Sequence, residues 1–193
     1  MKARFLDIYH THITRPGADK LLQWLESTDF FTAPASTRFH LAREGGLLEH
    51  SLHVYDRLRK LYQSELAGGA ELTPEQEETA AVCGLLHDIN KANFYQVEMR
   101  NRKNEQGQWE QYPFYVIHDQ LPYGHGEKSV YIISGFMRLS REEAMAIRWH
   151  MGFSDNDFLG GGHSVGGAFE KFPLAVLTHI ADLEAAYLDE CRE

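Results

Sequence analysis

Cysteine is almost absent from this 193-residue sequence, and no apolar run is long enough to cross a membrane. The two thiols, Cys83 and Cys191, do not suggest a disulfide framework, which is typical of a reducing compartment. A membrane span needs about 20 consecutive apolar residues, and the opening Met-Lys-Ala-Arg-Phe is not followed by a signal-type apolar segment. These absences predict a cytoplasmic protein without a membrane partner.

Positive charge is also scarce, with 19 lysine and arginine residues against 28 aspartate and glutamate residues and a net charge of −9. This balance argues against an extended basic surface for nucleic acid. A small phosphorylated substrate such as a nucleotide remains compatible, because bound metal ions make a pocket locally positive. The length predicts a single domain over residues 1–193, and the 43% hydrophobic and 24% charged residues are ordinary for a globular protein.

Histidine, by contrast, occurs 11 times, and one histidine belongs to an adjacent His-Asp pair at the end of an apolar helical run. In Gly-Leu-Leu-His-Asp-Ile-Asn-Lys, residues 84–91, the imidazole of His87 and one carboxylate oxygen of Asp88 can bind a divalent ion. The second carboxylate oxygen stays free to bridge to another ion. The dipeptide alone is weak evidence, because it occurs by chance in many chains.

Further candidate ligands on other predicted helices strengthen this assignment: His50, His125, His150 and Asp182. Asp182 stands in an otherwise apolar run, where a buried carboxylate without a partner is costly. A metal ion is one such partner, and a solvent-facing carboxylate is the other interpretation of the pattern. His53 and His179 lie three residues from a candidate ligand, so contact with that ligand and simple packing both remain open.

Hydrophobic residues at helical spacing predict a mainly α-helical fold. Thr73-Pro74-Glu75-Gln76 and Ser140-Arg141-Glu142-Glu143 look like capping boxes that begin two helices. Double glycines at residues 45–46 and 68–69 bound a third helix. The remaining predicted helices lie near residues 21–25, after Gly126 and over residues 172–188.

Three segments have other patterns. Residues 30–43 predict an irregular segment. Residues 94–118 are rich in aromatic and β-branched residues around a polar middle, which predicts an inserted β-hairpin with about ten residues in each arm. Residues 151–168 contain Gly160-Gly161-Gly162 and Gly166-Gly167, which predicts a flexible loop. This segment lacks the Gly-Lys-Ser/Thr ending of a phosphate-binding loop, so that function is excluded.

The order of the candidate ligands resembles the HD-domain superfamily of metal-dependent phosphohydrolases. The pattern His…His-Asp…His…His…Asp is the longer version that supports two metal ions, and four local sequences carry the resemblance: Gly-Gly-Leu-Leu-Glu-His, Leu-Leu-His-Asp-Ile-x-Lys, Gly-His-Gly-Glu-Lys-Ser and a late Ala-Asp. The resemblance covers about residues 38–190 and leaves residues 1–37 as an N-terminal extension of a single HD domain. Asn90 stands where the family commonly has glycine, and asparagine also tolerates left-handed backbone.

The resemblance implies a helical HD-domain bundle with two divalent transition metal ions, from among Mn, Fe, Ni, Co and Zn. The first ion would be held by His50, His87 and Asp182. The second would be held by His125 and His150, with Asp88 bridging the two. Imidazole and carboxylate donors suit these metals better than Mg²⁺. A metal-activated hydroxide would then cleave a phosphomonoester or phosphodiester.

Basic side chains near these ligands are the candidates for handling phosphate. Lys91, one turn beyond Asp88, is predicted to act in catalysis with it by neutralising charge on phosphate oxygens. The alternative for Lys91 is an exposed cation that complements a helix end. Lys128 and Arg148 flank ligands and His40 is expected at the pocket mouth, so these three are predicted to bind substrate.

Two other functions remain open from the sequence. Mixed-valent diiron oxygenases of the HD type, similar to inositol oxygenase, share the set of four histidines and two aspartates. They would act with dioxygen on a small polyol or an organophosphonate. A binding or sensor module with a residual site is the third class, which the six intact ligands disfavour. Metal content, iron oxidation state and oxygen dependence separate these functions.

Overall fold

Helices dominate the structure, a computed structural model that describes residues 1–154 and 162–191. The described residues form eight α-helices: α1 (Lys2–His12), α2 (Ala18–Ser27), α3 (Gly46–Leu61), α4 (Pro74–Leu86), α5 (His125–Ser134), α6 (Arg141–Arg148), α7 (Gly162–Lys171) and α8 (Pro173–Glu184). Two strands, β1 (Tyr95–Lys103) and β2 (Trp109–Ile117), form the one sheet in this part of the chain. The predicted fold class, mainly α with a small inserted hairpin, is confirmed.

Capping residues begin two helices where the sequence predicts them. Thr73 accepts a hydrogen bond from the Gln76 amide, and the Gln76 side chain accepts one from the Thr73 amide, before α4. Ser140 and Glu143 exchange the same pair of hydrogen bonds before α6. These bonds satisfy amides that the start of a helix leaves without partners. They fix the starts of the two helices whose far ends carry candidate ligands.

The hairpin is antiparallel, with nine residues in each arm and Tyr95 opposite Ile117 at its base. Gly107 in the turn has a positive φ of 78°, a conformation that glycine adopts without steric cost. Most of β1 is exposed. At the base, the Tyr95 hydroxyl donates a hydrogen bond to the Ala35 carbonyl. This bond ties the hairpin to the irregular segment that precedes α3.

Two helices differ from the sequence prediction. The pattern did not reveal α1, whose buried residues Phe5, Ile8 and Tyr9 are spaced among polar ones. The predicted loop over 151–168 is wrong for residues 162–168, which belong to α7 and bury Val165 and Ala168. Residues 155–161 of that prediction lie outside the described residues. Burial against the rest of the fold outweighs the low helix propensity of glycine in α7.

Asn90 also differs from expectation. It lies in a 3₁₀ turn, Ile89–Lys91, rather than in left-handed backbone. The left-handed residue follows later, at Asn93, with a φ of 55°. Tolerance of left-handed backbone therefore does not explain why asparagine stands here in place of the expected glycine.

The hydrophobic core extends across α1 to α6 and α8. Phe5, Leu21 and Phe30, all within the first 37 residues, are fully buried in it. The predicted N-terminal extension therefore packs into the same core as the helices that carry the candidate ligands. None of the described helices combines the length and apolarity that crossing a membrane requires.

A π-helical turn, Ala185–Asp189, continues the chain beyond α8. It ends at Glu190, whose amide donates a hydrogen bond to the Ala185 carbonyl. Glu190 is buried and its carboxylate lies against α3, where it contacts His50. Such wide turns are frequent at functional sites.

Two glycines let helices that carry candidate ligands approach each other closely. A Cβ at Gly84 in α4 would lie 2.5 Å from the Cα of Tyr55 in α3. A Cβ at Gly126 in α5 would lie 2.1 Å from the carbonyl oxygen of Arg148 at the end of α6. Close-packed interiors do not accommodate such overlaps. The two glycines therefore set the spacing of the α3–α4 and α5–α6 pairs.

Gly126→Ala is expected to destabilise the protein by about 1–3 kcal/mol, because the new methyl group overlaps a backbone carbonyl and forces α5 away from α6. Gly166→Ala in α7 is the matched control, since apart from its chain neighbours and the backbone of its own helix no described atom lies within 4 Å of its Cβ position. Alanine at this helical position should stabilise by about 0.5–1 kcal/mol. Urea unfolding followed by circular dichroism measures both changes. An unchanged midpoint for Gly126→Ala would contradict the close-approach argument.

Candidate metal centre

Five helices converge on one largely buried region. Its side chains come from α3 (His50), the end of α4 (His87 and Asp88), the start of α5 (His125), the end of α6 (His150) and α8 (Asp182). The imidazoles of His50, His87 and His150 and the Asp88 carboxylate are buried. His125 and Asp182 retain exposed fractions of 26% and 14%, so they mark the side from which solvent reaches the cluster. The structure thus places all six predicted ligands together.

The first group of donor atoms surrounds the Nε2 atom of His50. This nitrogen lies 3.2 Å from His87 Nε2 and 3.2 Å from Asp182 Oδ1. The donor atoms of His50, His87 and Asp182 all lie within 4.8 Å of one another. Two imidazoles and a carboxylate at this spacing can hold one transition metal ion.

The second group surrounds Asp88 Oδ1. This oxygen lies 2.9 Å from His125 Nε2 and 3.3 Å from His150 Nε2. The other oxygen, Oδ2, lies 3.5 Å from His87 Nε2 and 3.6 Å from His50 Nε2. The donor atoms of His87, Asp88 and His150 form another set within 4.8 Å, whereas His125 approaches the cluster through Asp88. The two oxygens of Asp88 therefore face different imidazoles.

Hydrogen bonds on the outer side of three imidazoles fix which nitrogen faces the cluster. The Nδ1 atoms of His87 and His150 lie 3.0 Å and 2.7 Å from the carbonyl oxygens of Gly84 and Ile147. Carbonyl oxygens only accept, so each Nδ1 carries a proton and donates it. His50 Nδ1 likewise lies 3.0 Å from the Glu190 carboxylate. The Nε2 atoms are therefore the ones that face the cluster.

His150 Nε2 supplies the test of whether these residues fit a metal. It is buried, and although Asp88 Oδ1 lies 3.3 Å away, neither that contact nor any other with a described residue has the geometry of a hydrogen bond. A buried polar atom without a partner is costly, and imidazole nitrogen is a good ligand for transition metals. The unsatisfied nitrogen points into a cluster of imidazoles and carboxylates. The donor set therefore fits a bound metal ion.

Electrostatics keep the carboxylates of the cluster ionised. Burial raises the pKa of Asp88, but the Lys91 ammonium and the neighbouring imidazoles outweigh burial and hold that pKa well below its usual range. Burial also raises the pKa of Asp182, and hydrogen bonding to His50 more than offsets it, so the net shift is downward. Burial lowers the pKa of His50, whereas Asp182 and Glu190 raise it to about 10. An ion that binds His50 Nε2 must therefore displace a proton.

Of the four side chains predicted to handle phosphate, two lie at the cluster. Lys91 Nζ donates a hydrogen bond to Asp88 Oδ2 at 2.6 Å, and only 12% of its side chain is exposed. Lys91 is therefore not an exposed cation at a helix end, which was the alternative prediction for this residue. The His40 ring centroid lies 5.1 Å from that of His50, and His40 Nε2 lies 3.8 Å from Glu190.

The other two cations, Lys128 and Arg148, form ion pairs with carboxylates outside the six candidate ligands. Lys128 is buried, pairs with Asp119 and lies over the Phe94 ring. Arg148 pairs with Glu127, and its guanidinium lies 3.9 Å from the centroid of its neighbour Trp149. In the structure these two charged groups contact carboxylates and aromatic rings, and their role in substrate binding stays a prediction.

The two histidines three residues from a ligand both make contacts that support the cluster. His53 Nδ1 lies 3.0 Å from Glu190 Oε1. His179 Nδ1 donates a hydrogen bond to the His150 carbonyl oxygen at 2.6 Å. His53 helps to hold the Glu190 carboxylate, and His179 holds the backbone of the candidate ligand His150.

Glu190 is the site residue that the sequence analysis missed. Burial raises its pKa, but hydrogen bonds from His50 and His53 outweigh burial and lower it to about 2. An ionised carboxylate that accepts a proton from Nδ1 orients an imidazole and increases its basicity toward metal. Glu190 follows Asp189 at the end of the last helix, and nothing in that acidic neighbourhood distinguishes it.

Glu190→Ala is expected to weaken binding of the first metal ion by about 10–100-fold, because His50 loses the partner that fixes its ring. Glu190→Gln should recover part of this loss, since the amide oxygen still accepts a hydrogen bond. Glu184→Ala is the control, because that carboxylate pairs with Arg57 instead. Competition against a chelating dye measures the affinities. Wild-type affinity in Glu190→Ala would rule out this supporting role.

Comparison with protein-family models matches residues 47–187 to the HD domain. The match covers more than half of the chain and contains all six candidate ligands. The chain therefore belongs to the HD domain family, a family of metal-dependent phosphohydrolases. Comparisons with curated proteins and with solved structures found no match.

Proposed function

We propose that this protein is a dinuclear metal-dependent phosphohydrolase that cleaves a phosphomonoester or phosphodiester of a small substrate such as a nucleotide. The observation that carries the proposal is the position of Asp88, whose two oxygens face different imidazoles. A carboxylate placed this way is suited to bridge two ions. Membership of the HD domain family supports the hydrolytic class.

The ligand assignment follows the two groups of donor atoms. The first ion is held by His50, His87 and Asp182. The second is held by His125 and His150, with Asp88 between the two. Imidazoles and carboxylates in this number suit Mn, Fe, Ni, Co or Zn better than Mg²⁺. When bound, such ions polarise a phosphoryl group and provide a nucleophile at neutral pH.

Lys91 supplies a fixed positive charge beside the reacting group. Its hydrogen bond to Asp88 and its low exposure hold the ammonium in place before substrate arrives. Charge that is positioned in advance stabilises the negative charge that phosphate oxygens gain in the transition state. Lys91 is therefore proposed to act in catalysis with Asp88.

Substrate contacts are proposed for the exposed side of the cluster. His40 is the candidate, because its ring centroid lies 5.1 Å from that of His50 and its Nε2 makes no hydrogen bond with any described residue. Lys128 and Arg148 are assigned a different role, because Asp119 and Glu127 already pair with their charged groups. These two pairs stabilise the start of α5 and the end of α6, where His125 and His150 lie.

The test is hydrolysis of a panel of nucleotides, cyclic nucleotides and generic phosphoesters with Mn, Fe, Ni, Co or Zn, with and without oxygen. We expect anaerobic release of phosphate or of a phosphomonoester. His87→Gln should lose this activity, and His10→Gln, an exposed histidine on α1, should keep it. Turnover that requires oxygen, without anaerobic release of phosphate, would overturn the proposal and favour the diiron oxygenase.

A further inference from the structure

Asn90 is a buried polar residue at the back of the second group of ligands. Its side chain is 2% exposed. The amide nitrogen Nδ2 lies 2.9 Å from His125 Nδ1, and the amide oxygen accepts a hydrogen bond from the Ser129 hydroxyl at 3.0 Å. The Asn90 backbone amide donates to the same hydroxyl at 3.3 Å. Asn90 thus touches a candidate ligand on its outer side.

This contact differs from those of the other imidazoles. His87 and His150 face carbonyl oxygens, and His50 faces a carboxylate, all of which only accept hydrogen bonds. A side-chain amide has a donating end and an accepting end, which exchange places when the group rotates by half a turn. The Ser129 hydroxyl can donate or accept, so it suits either orientation of the Asn90 amide.

The two orientations have opposite consequences for His125. When the Asn90 nitrogen faces Nδ1, Nδ1 must accept, so the proton lies on Nε2 and is donated to Asp88 Oδ1 at 2.9 Å. In that tautomer Nε2 has no lone pair for a metal ion. When the Asn90 oxygen faces Nδ1, the proton moves to Nδ1 and the lone pair of Nε2 faces the cluster.

We infer that Asn90 is a positioning residue that selects the tautomer of His125 and thereby controls occupancy of the second metal position. This inference rests on the dinuclear site proposed above. Rotation of the amide, with Ser129 as its second partner, lets His125 donate to Asp88 in the metal-free protein and bind metal in the loaded one. The contact with His125 therefore explains why a buried amide side chain stands at position 90.

Asn90→Leu tests the inference, because leucine keeps the approximate size and removes both hydrogen-bonding ends. We expect affinity for the second Zn²⁺ ion to fall by about 10–100-fold and affinity for the first to stay unchanged. Asn90→Asp offers only acceptors, so it should keep the second ion bound. Thr178→Val is the control, since it removes a buried hydroxyl that bonds only the Leu174 carbonyl among the described residues. Calorimetric titration and elemental analysis measure both ions.

Nitrogen-15 NMR of the wild-type protein provides a second readout. We expect the proton of His125 on Nε2 without metal and on Nδ1 with Zn²⁺. A proton on Nδ1 in the metal-free protein, or wild-type affinity for the second ion in Asn90→Leu, would overturn the inference. If Asn90→Leu does not fold, the Asn90→Asp variant becomes the deciding test. Loss of the second metal ion from Asn90→Asp would contradict the inference. If the wild-type protein binds only one ion, the dinuclear proposal is refuted. In that case the position of the His125 proton in the metal-free protein still tests the role of Asn90.

Discussion

Replacement of Asp88 with alanine is expected to remove both metal ions and to abolish hydrolysis of phosphoesters. Its two oxygens face different imidazoles, so neither ion position keeps its full set of donors. The substitution also leaves the largely buried Lys91 ammonium without its carboxylate, which costs about 3–5 kcal/mol of folding free energy. Elemental analysis, urea unfolding and a phosphoester assay measure the three effects.

Two further variants separate metal loss from unfolding. Asp88→Ala combined with Lys91→Met removes the stranded charge, so the protein should regain stability without regaining metal. Asp119→Ala removes the partner of a different buried lysine, Lys128, and should keep both ions. Two ions in folded Asp88→Ala would show that the bridging assignment is wrong.

Lys91→Ala is the second substitution with a large expected effect. We expect kcat on a phosphoester to fall by about 100-fold or more, because one positioned electrostatic contact in an active site contributes about 3–4 kcal/mol to transition-state stabilisation. Both ions should remain bound, since Lys91 is not among the proposed ligands. Steady-state kinetics with metal analysis of the same sample measures this result.

The control for Lys91 is Lys128→Ala. Lys128 is also a buried lysine paired with an aspartate, but its partner is Asp119 rather than Asp88 and its ammonium lies over Phe94. Its replacement should lower stability more than kcat. Lys91→Arg should retain part of the activity because it keeps the charge, although the planar guanidinium fits the same space poorly. A wild-type kcat for Lys91→Ala with both ions bound would remove Lys91 from the mechanism.

Local sequence rules were sufficient for much of the fold. The capping boxes at Thr73 and Ser140 begin α4 and α6 because the residues that satisfy the first amides lie within four positions. The hairpin is equally local, since its arms are joined by a short polar turn. The resemblance to HD domains named six candidate ligands, including Asp88, that the structure places in one cluster.

Sequence rules failed where contacts between distant residues determine the outcome. The helix α7 forms although its sequence contains glycines, because Val165 and Ala168 are buried. The carboxylate partners of Lys128 and Arg148, which are Asp119 and Glu127, were likewise not evident from the sequence. Charge in a sequence does not reveal its partner in space.

The sequence by itself determined the helical class, the inserted hairpin and the residue types that a metal centre needs, because periodicity, capping and motif spacing are local properties. Only the tertiary structure decided how the ligands are supported. Glu190 lies 140 residues from His50, and Asn90 lies 35 residues from His125, yet each contacts the outer nitrogen of that imidazole. Such contacts depend on how closely the helices pack, which no local pattern encodes.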